Sequence, residues 1–220
     1  MHPTLRNMLT AGGILTGFAL AGTALVVVTY QQTHPIVAEN ARRALLANLN
    51  ELVPAERYDN DLTADTLEIR DPAAFGTEQP VTVYRAYRNG QPVALLATLV
   101  APDGYSGAIR LLVAVNADGT LAGVRVLGHK ETPGLGDKIE AGRSDWILGF
   151  TGKSLSDPAE GGWKVKKDGG QFDQFTGATI TPRAVVGAVR RFLVYLREHR
   201  EVLFQRSPDR ERSPPGGIQR

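Results

Sequence analysis

Between Ala11 and Tyr30 the chain carries no charged side chain and consists mainly of Ala, Gly, Leu and Val. A run of about 20 such residues is the length an α-helix needs to cross the hydrocarbon core of a bilayer, and no other stretch limits the fold as strongly. A cleaved signal peptide is the competing reading, because Ala19-Leu20-Ala21 offers a small-residue cleavage pattern. Leu25 to Val28 continue the apolar run past that point, however, which favours an uncleaved anchor. Orientation does not follow from charge: Arg6 precedes the span and Arg42 and Arg43 follow it, a balance that slightly opposes an inside N-terminus. The short N-terminal tail fits an inside N-terminus.

Beyond the span, Ile36 to Val53 reads as a helix with Val37, Ala41, Leu45 and Leu49 on one side, bounded by Pro35 and Pro54. Asp59 to Pro80 gives weak periodicity, with one short strand around Leu67 to Ile69 and loop elsewhere. From Val81 the pattern becomes short segments rich in Val, Tyr, Leu and Thr. Asn89-Gly90 predicts a hairpin between Val81–Arg88 and Pro92–Val100, and Asp118-Gly119 a second one between Ala108–Asn116 and Leu121–Leu127. These four segments are expected in one antiparallel sheet with packed helices, an α+β domain. Trp163 to Lys167, with its alternating lysines, reads as a charged sheet edge. Trp146 and Phe150, four apart, read as core or docking residues. The organisation expected is a tail over 1–10, a membrane helix over 11–30, a linker helix over 31–58, a domain over 59–203 and a disordered basic tail over 204–220, where Pro, Ser, Gly and Arg accumulate.

Composition removes several chemistries. With 25 Lys plus Arg against 23 Asp plus Glu, the net charge of +2 offers no nucleic-acid footprint. Cysteine is absent, so disulfides, thiolate metal sites and iron–sulfur ligation within this chain are excluded, and any redox role needs a borrowed cofactor. His129 has no ligand partner at metal-binding spacing, since His2, His34 and His199 are scattered far from it. Nucleophile elbows, phosphate loops and dinucleotide fingerprints are missing too, so no catalytic residue is expected.

One segment still carries chemistry. Asp173-Gln174-Phe175-Thr176-Gly177-Ala178-Thr179-Ile180-Thr181-Pro182 sets a Gly-centred turn and three hydroxyls before an amphipathic helix marked by Val185, Val189, Phe192 and Leu196. Thr181 fits the N-cap and Pro182 the first helical position. Free N–H groups and the positive helix end beside Thr176 and Thr179 suit a phosphate, and Gly177 lets the backbone approach it. On spacing alone an ordinary capped helix after a turn is the better account. Earlier in the chain, Glu131-Thr132-Pro133-Gly134-Leu135-Gly136 offers a type II turn at Pro133-Gly134, with Asp137 as a cap and Glu140 completing a capping box. On sequence alone a plain strand-to-helix connection is the better account of those residues. Tyr105, in Gly104-Tyr105-Ser106-Gly107, reads as a partly buried rim residue rather than a ligand contact.

Asp173-x-x-Thr176-Gly177-Ala178-Thr179 resembles the signature at which a flavin transferase attaches FMN to threonine. The run Phe175 to Val186, the Gly-Tyr-Ser-Gly turn and the Glu-Thr-Pro-Gly-Leu-Gly loop resemble the G subunit of the Rnf electron-transport complex. The resemblance implies FMN joined by a phosphoester to Thr179, with Asp173, Thr176, Gly177, Ala178 and Thr181 around the attachment point and Glu131, Thr132, Pro133, Gly134, Leu135 and Gly136 against the flavin. It also implies a redox subunit of an ion-translocating complex coupling electron flow between ferredoxin and NAD to ion movement. Implied partners are the complex's membrane and iron–sulfur subunits and, during maturation, a flavin transferase; the implied location is the bacterial inner membrane, with the domain on the periplasmic side. Two rivals stand beside this: the C subunit of the sodium-pumping NADH:quinone reductase, and an anchored scaffold without flavin.

Overall fold

The computed structural model describes residues 3–205. The chain divides into two units, Met1–Ala47 and Asn48–Arg220. Helix α1 spans Pro3–Leu52. Within it, Gly12–Tyr30 has a mean hydropathy of 1.8 and none of that window is buried, so the stretch is long and apolar enough to cross a membrane. Ile14, Leu15, Phe18 and Leu25 stand 60–75% exposed, the pattern expected of side chains that face lipid rather than a protein core. Pro35 does not bound a separate linker helix, because the helical backbone runs through it to Leu52. A proline removes one i→i−4 bond, which a helix propagating on both sides can survive. The expected disordered tail over 204–220 begins inside a helix, since Phe204 is its last residue; 206–220 lie outside the described residues.

In the second unit, five strands form one antiparallel sheet in sequence order: β1 (Thr66–Ile69), β2 (Val81–Arg88), β3 (Gln91–Ala101), β4 (Ile109–Asn116) and β5 (Leu121–Gly128). Both expected hairpins are present. Asn89 (φ 51°) and Gly90 (φ 78°) both occupy left-handed space, as the two-residue turn with strand-matching twist requires. Asp118 Oδ1 accepts from the backbone N and the hydroxyl of Thr120, which holds its carboxyl below the usual carboxylate range.

A four-residue helix α2 (Pro72–Phe75), capped by Asp71 and closed by left-handed Gly76, stands where loop was expected. Helix α3 (Ile180–Phe204) packs on one face of the sheet. Val185, Val189, Phe192 and Leu196 of its apolar stripe share a core with Leu95, Ala97 and Leu99 of β3 and Leu111, Val113 and Val115 of β4. On β3 these are alternate residues, so the period-2 pleat meets the 3.6-period stripe. On β5, Gly123 accommodates Leu52, whose Cδ2 lies 2.8 Å from where a Cβ would stand. The C-terminal end of α3 is pinned to β2. Tyr87 donates its hydroxyl to Phe204 O (2.9 Å), and Arg85 donates to Gln205 O while pairing with buried Asp65.

A further sequence expectation fails at Trp163 to Lys167, which is not a sheet edge. Trp163 is buried with its indole N–H donating to Ser154 O, and Val165 makes only an isolated bridge to Phe172. The cause is the glycines that follow. A Cβ on Gly170 would sit 2.0 Å from Lys164 O, so the chain folds back on itself there instead of extending.

Candidate functional site

Strand β5 hands the chain to a loop that turns beneath α3. Leu135 N donates to Thr132 O (3.1 Å) and Gly134 has φ 77°, which is the expected turn with Pro133 and Gly134 at its centre. Asp137 does not cap the next element. It lies inside a short 3₁₀ turn, Gly136–Ile139, whose N-cap position is Leu135. Glu140 does not close a capping box either, because its carboxylate bonds His129 Nε2 at 2.7 Å. His129 Nδ1 accepts from Glu131 N (2.9 Å), so the hydrogen bonds assign the ring as the neutral Nε2–H tautomer.

At the start of α3 the sequence expectation is displaced by two residues. The helix begins at Ile180, with Thr179 in the N-cap position but helical in backbone (φ −71°, ψ −32°) and making no capping bond. Thr181 is the second helical residue and fully buried. Its hydroxyl donates to Glu131 Oε2 (2.5 Å) and is therefore unavailable as a cap. Pro182 is third, still among the positions whose N–H has no intrahelical acceptor.

Glu131 is itself buried, and its other oxygen accepts from Ser106 N (2.9 Å). One carboxylate thus joins three sequence segments. Gly136 and Gly104 make room for it: a Cβ at Gly136 would meet Glu131 Oε2 and Thr181 Oγ1, each at 2.9 Å, and one at Gly104 would meet Glu131 Oε1 at 3.0 Å.

These segments enclose a cleft of about 620 Å³, within the range that takes a cofactor-sized ligand. Glu131, Thr132, Leu135, Gly136, Gly177, Ala178, Thr179 and Thr181 line it, together with Tyr105, Lys167 and Ile180. Pro133 and Gly134 shape the turn but do not line the cleft, nor do Asp173 and Thr176. Asp173 is exposed; its carboxylate pairs with Lys166 (2.5 Å) and its carbonyl accepts from the Trp146 indole N–H (2.8 Å). Gly177 (φ 81°) closes the turn in which Ala178 N donates to Phe175 O, and a Cβ there would stand 3.6 Å from Leu135 Cδ2, so the two loops abut. Beside the entrance, Arg183 donates two bonds to Asp168 (2.6 and 2.9 Å) and holds that carboxyl below its ordinary range.

Sequence reasoning missed part of this lining. Lys167 belongs to the lysine run whose alternation suggests a strand face, and Ile180 stands one residue before the expected cap. Tyr105 is 68% exposed, more open than the rim position expected, and with Leu135 and Ile180, each 42% exposed, it gives the mouth an apolar border. The three threonines also separate. Thr181 is buried and engaged, Thr176 is exposed outside the cleft, and Thr179 is half-buried in it, its hydroxyl without a hydrogen bond among the described residues.

The model of the FMN-binding domain family matches residues 104–194, the stretch that contains every residue lining the cleft. A second model, the RnfG N-terminal region, matches residues 1–52. The chain is 51% identical over 201 residues to the G subunit of the ion-translocating oxidoreductase complex of Pseudomonas aeruginosa, covering 91% of this chain and 94% of that one. Against the corresponding proteins of Pseudoalteromonas atlantica and Vibrio cholerae identity is 48% and 47%, covering 89% of this chain in each case and 91% and 95% of theirs. The chain belongs to this family, the G subunits of ion-translocating oxidoreductase complexes.

Proposed function

We propose that this chain is a membrane-anchored flavoprotein subunit of an Rnf-type ion-translocating oxidoreductase complex, holding FMN through a phosphoester to Thr179 Oγ1. The observation that carries the reading is the convergence of the 104–107, 131–136 and 176–181 segments on one cleft; of the three threonines in the 176–181 segment, Thr179 is the one that lines the cleft with a hydroxyl making no hydrogen bond among the described residues. When bound, FMN supplies the electron-carrying chemistry that the side chains lack. The chain's residues position it and exclude alternatives. Attachment needs an activated phosphoryl donor, and a flavin dinucleotide serves. Attachment would join Thr179 Oγ1 to the FMN-side phosphorus of FAD, with AMP as the leaving group and the hydroxyl proton passing to solvent. A flavin transferase catalyses this step, and the chain gains the mass of FMN less water.

The first-turn N–H groups of α3 and the positive helix end favour the residual phosphodiester charge. Lys167 is the cation lining the cleft, and its backbone N is held by Gln174 Oε1 (3.1 Å). Lys167→Glu is expected to slow attachment on the order of tenfold, the worth of one charge-assisted contact, in a time course of label incorporation; an unchanged rate contradicts the role of Lys167.

The α1 span is the anchor, and the complex's other membrane and iron–sulfur subunits are the electron partners, with ferredoxin and NAD at the ends of the chain of transfers. The domain sits on the periplasmic side of the inner membrane. Because the sequence has no cysteine, a single Cys introduced at exposed Lys138 tests this cleanly. Labelling of intact spheroplasts by a membrane-impermeant maleimide is expected; labelling only after lysis overturns the orientation. The function itself is tested by co-expressing the full chain with a flavin transferase and looking for a flavin-fluorescent band on a denaturing gel, which a non-covalent or absent flavin does not give.

A further inference from the structure

Glu131 stands in the loop expected to lie against the flavin, yet both of its carboxylate oxygens already accept hydrogen bonds from the protein: Oε1 from Ser106 N at 2.9 Å and Oε2 from Thr181 Oγ1 at 2.5 Å. The residue is 5% exposed and Thr181 is fully buried. We propose that Glu131 is the positioning residue of the attachment site: by engaging the Thr181 hydroxyl it draws the first turn of α3 against the 131–136 loop, fixes Thr179 at the cleft, and removes Thr181 as a competing acceptor. It acts through Thr181 and not by touching the reacting atoms.

Three structural facts carry the inference. The contact spans fifty residues of sequence, so it sets tertiary register rather than local turn geometry. The space around the carboxylate is shaped to it, because a Cβ on Gly136 would approach Glu131 Cβ to 2.8 Å as well as the two hydrogen-bonding oxygens. Third, a helix whose second residue is tied down this firmly presents its N-cap side chain in a fixed direction, and the N-cap here is Thr179. The buried carboxylate also needs its partners: leaving either side unsatisfied costs more than the bond itself contributes.

The inference rests on the covalent-flavin reading, and its test separates the two. The full chain in detergent, its folding checked by cooperative melting well above the assay temperature, is labelled by a purified flavin transferase with FAD. Label is read by intact mass and its position by peptide mass. Wild type is expected to label at Thr179. Glu131→Gln can still accept from Ser106 N while its amide donates to Thr181 Oγ1, so its labelling rate is expected within about twofold of wild type. Glu131→Ala and Thr181→Val break the tie, and the maximal rate is expected to fall about tenfold, the effect of one lost buried hydrogen bond, with half-saturation in transferase unchanged. Thr181→Ser restores the rate. The double variant is expected to be no slower than either single one, because the two residues act through one bond. Wild-type rates in folded Glu131→Ala or Thr181→Val overturn the proposal. If Glu131→Ala fails to fold, Thr181→Val alone decides, since it removes only the hydroxyl donor. Absence of label on wild type refutes the covalent reading instead.

Discussion

Thr179→Ala is expected to abolish covalent flavin while leaving the domain folded. The hydroxyl it removes makes no hydrogen bond among the described residues, and the N-cap position it occupies uses no side-chain cap. Loss of stability should therefore stay below the ~1 kcal/mol typical of removing a working threonine cap. The label, by contrast, should fall to background: Thr181 is buried against Glu131, Thr176 lies outside the cleft, and Thr132, which also lines it, stands outside the Asp-x-x-Thr-Gly-Ala-Thr signature. In-gel flavin fluorescence paired with a melting curve checks both halves. Label retained on Thr179→Ala would mean that another hydroxyl is the acceptor.

Arg85→Ala is expected to give the largest loss of stability. The Arg85 side chain is 3% exposed and that of Asp65 9%, and the guanidinium approaches Asp65 Oδ1 at 2.6 and 2.9 Å while also donating to Gln205 O. Removing Arg85 leaves an unpaired buried carboxylate and releases the last carbonyl of the α3 terminus, a combination worth about 3–5 kcal/mol. Urea unfolding of the full chain in detergent, followed by the fluorescence of Trp146 and Trp163, measures it. Adding Asp65→Asn to Arg85→Ala is expected to recover part of the loss, since the stranded charge is gone. A shift within about 0.5 kcal/mol for Arg85→Ala, the size of an ordinary surface substitution, would show that the pair does not hold the helix terminus.

The parts of this molecule that are legible in sequence are those whose physics is local. Asn89-Gly90 and Asp118-Gly119 announce their hairpins because few residues accept left-handed backbone, and Val185, Val189, Phe192 and Leu196 reveal the packed face of α3 by spacing alone. Asp71-Pro72 and Gly76 are equally good start and stop signals for α2, but four residues give periodicity nothing to act on. Between His129 and Thr179 the chain is mostly turns, and there local rules mislead. Thr181 has the chemistry of a cap and Glu140 that of a capping-box acid, yet each is claimed by a partner distant in sequence, Glu131 and His129 respectively. The same tertiary claims build the cleft. Most of its lining residues emerge through motif resemblance, and what resemblance does not supply is their division of labour: which threonine is free, which is tied, and that Lys167 rather than Lys166 lines the cavity.

The central claim is that Thr179 carries FMN. The most direct measurement is peptide mass spectrometry with fragmentation on the chain purified from cells that also express a flavin transferase. The tryptic peptide Asp168–Arg183 contains all three threonines of the segment. The expected result is a mass increase of one FMN less water, localised to Thr179. An unmodified peptide, or the same increase on Thr176 or Thr181, would contradict the account.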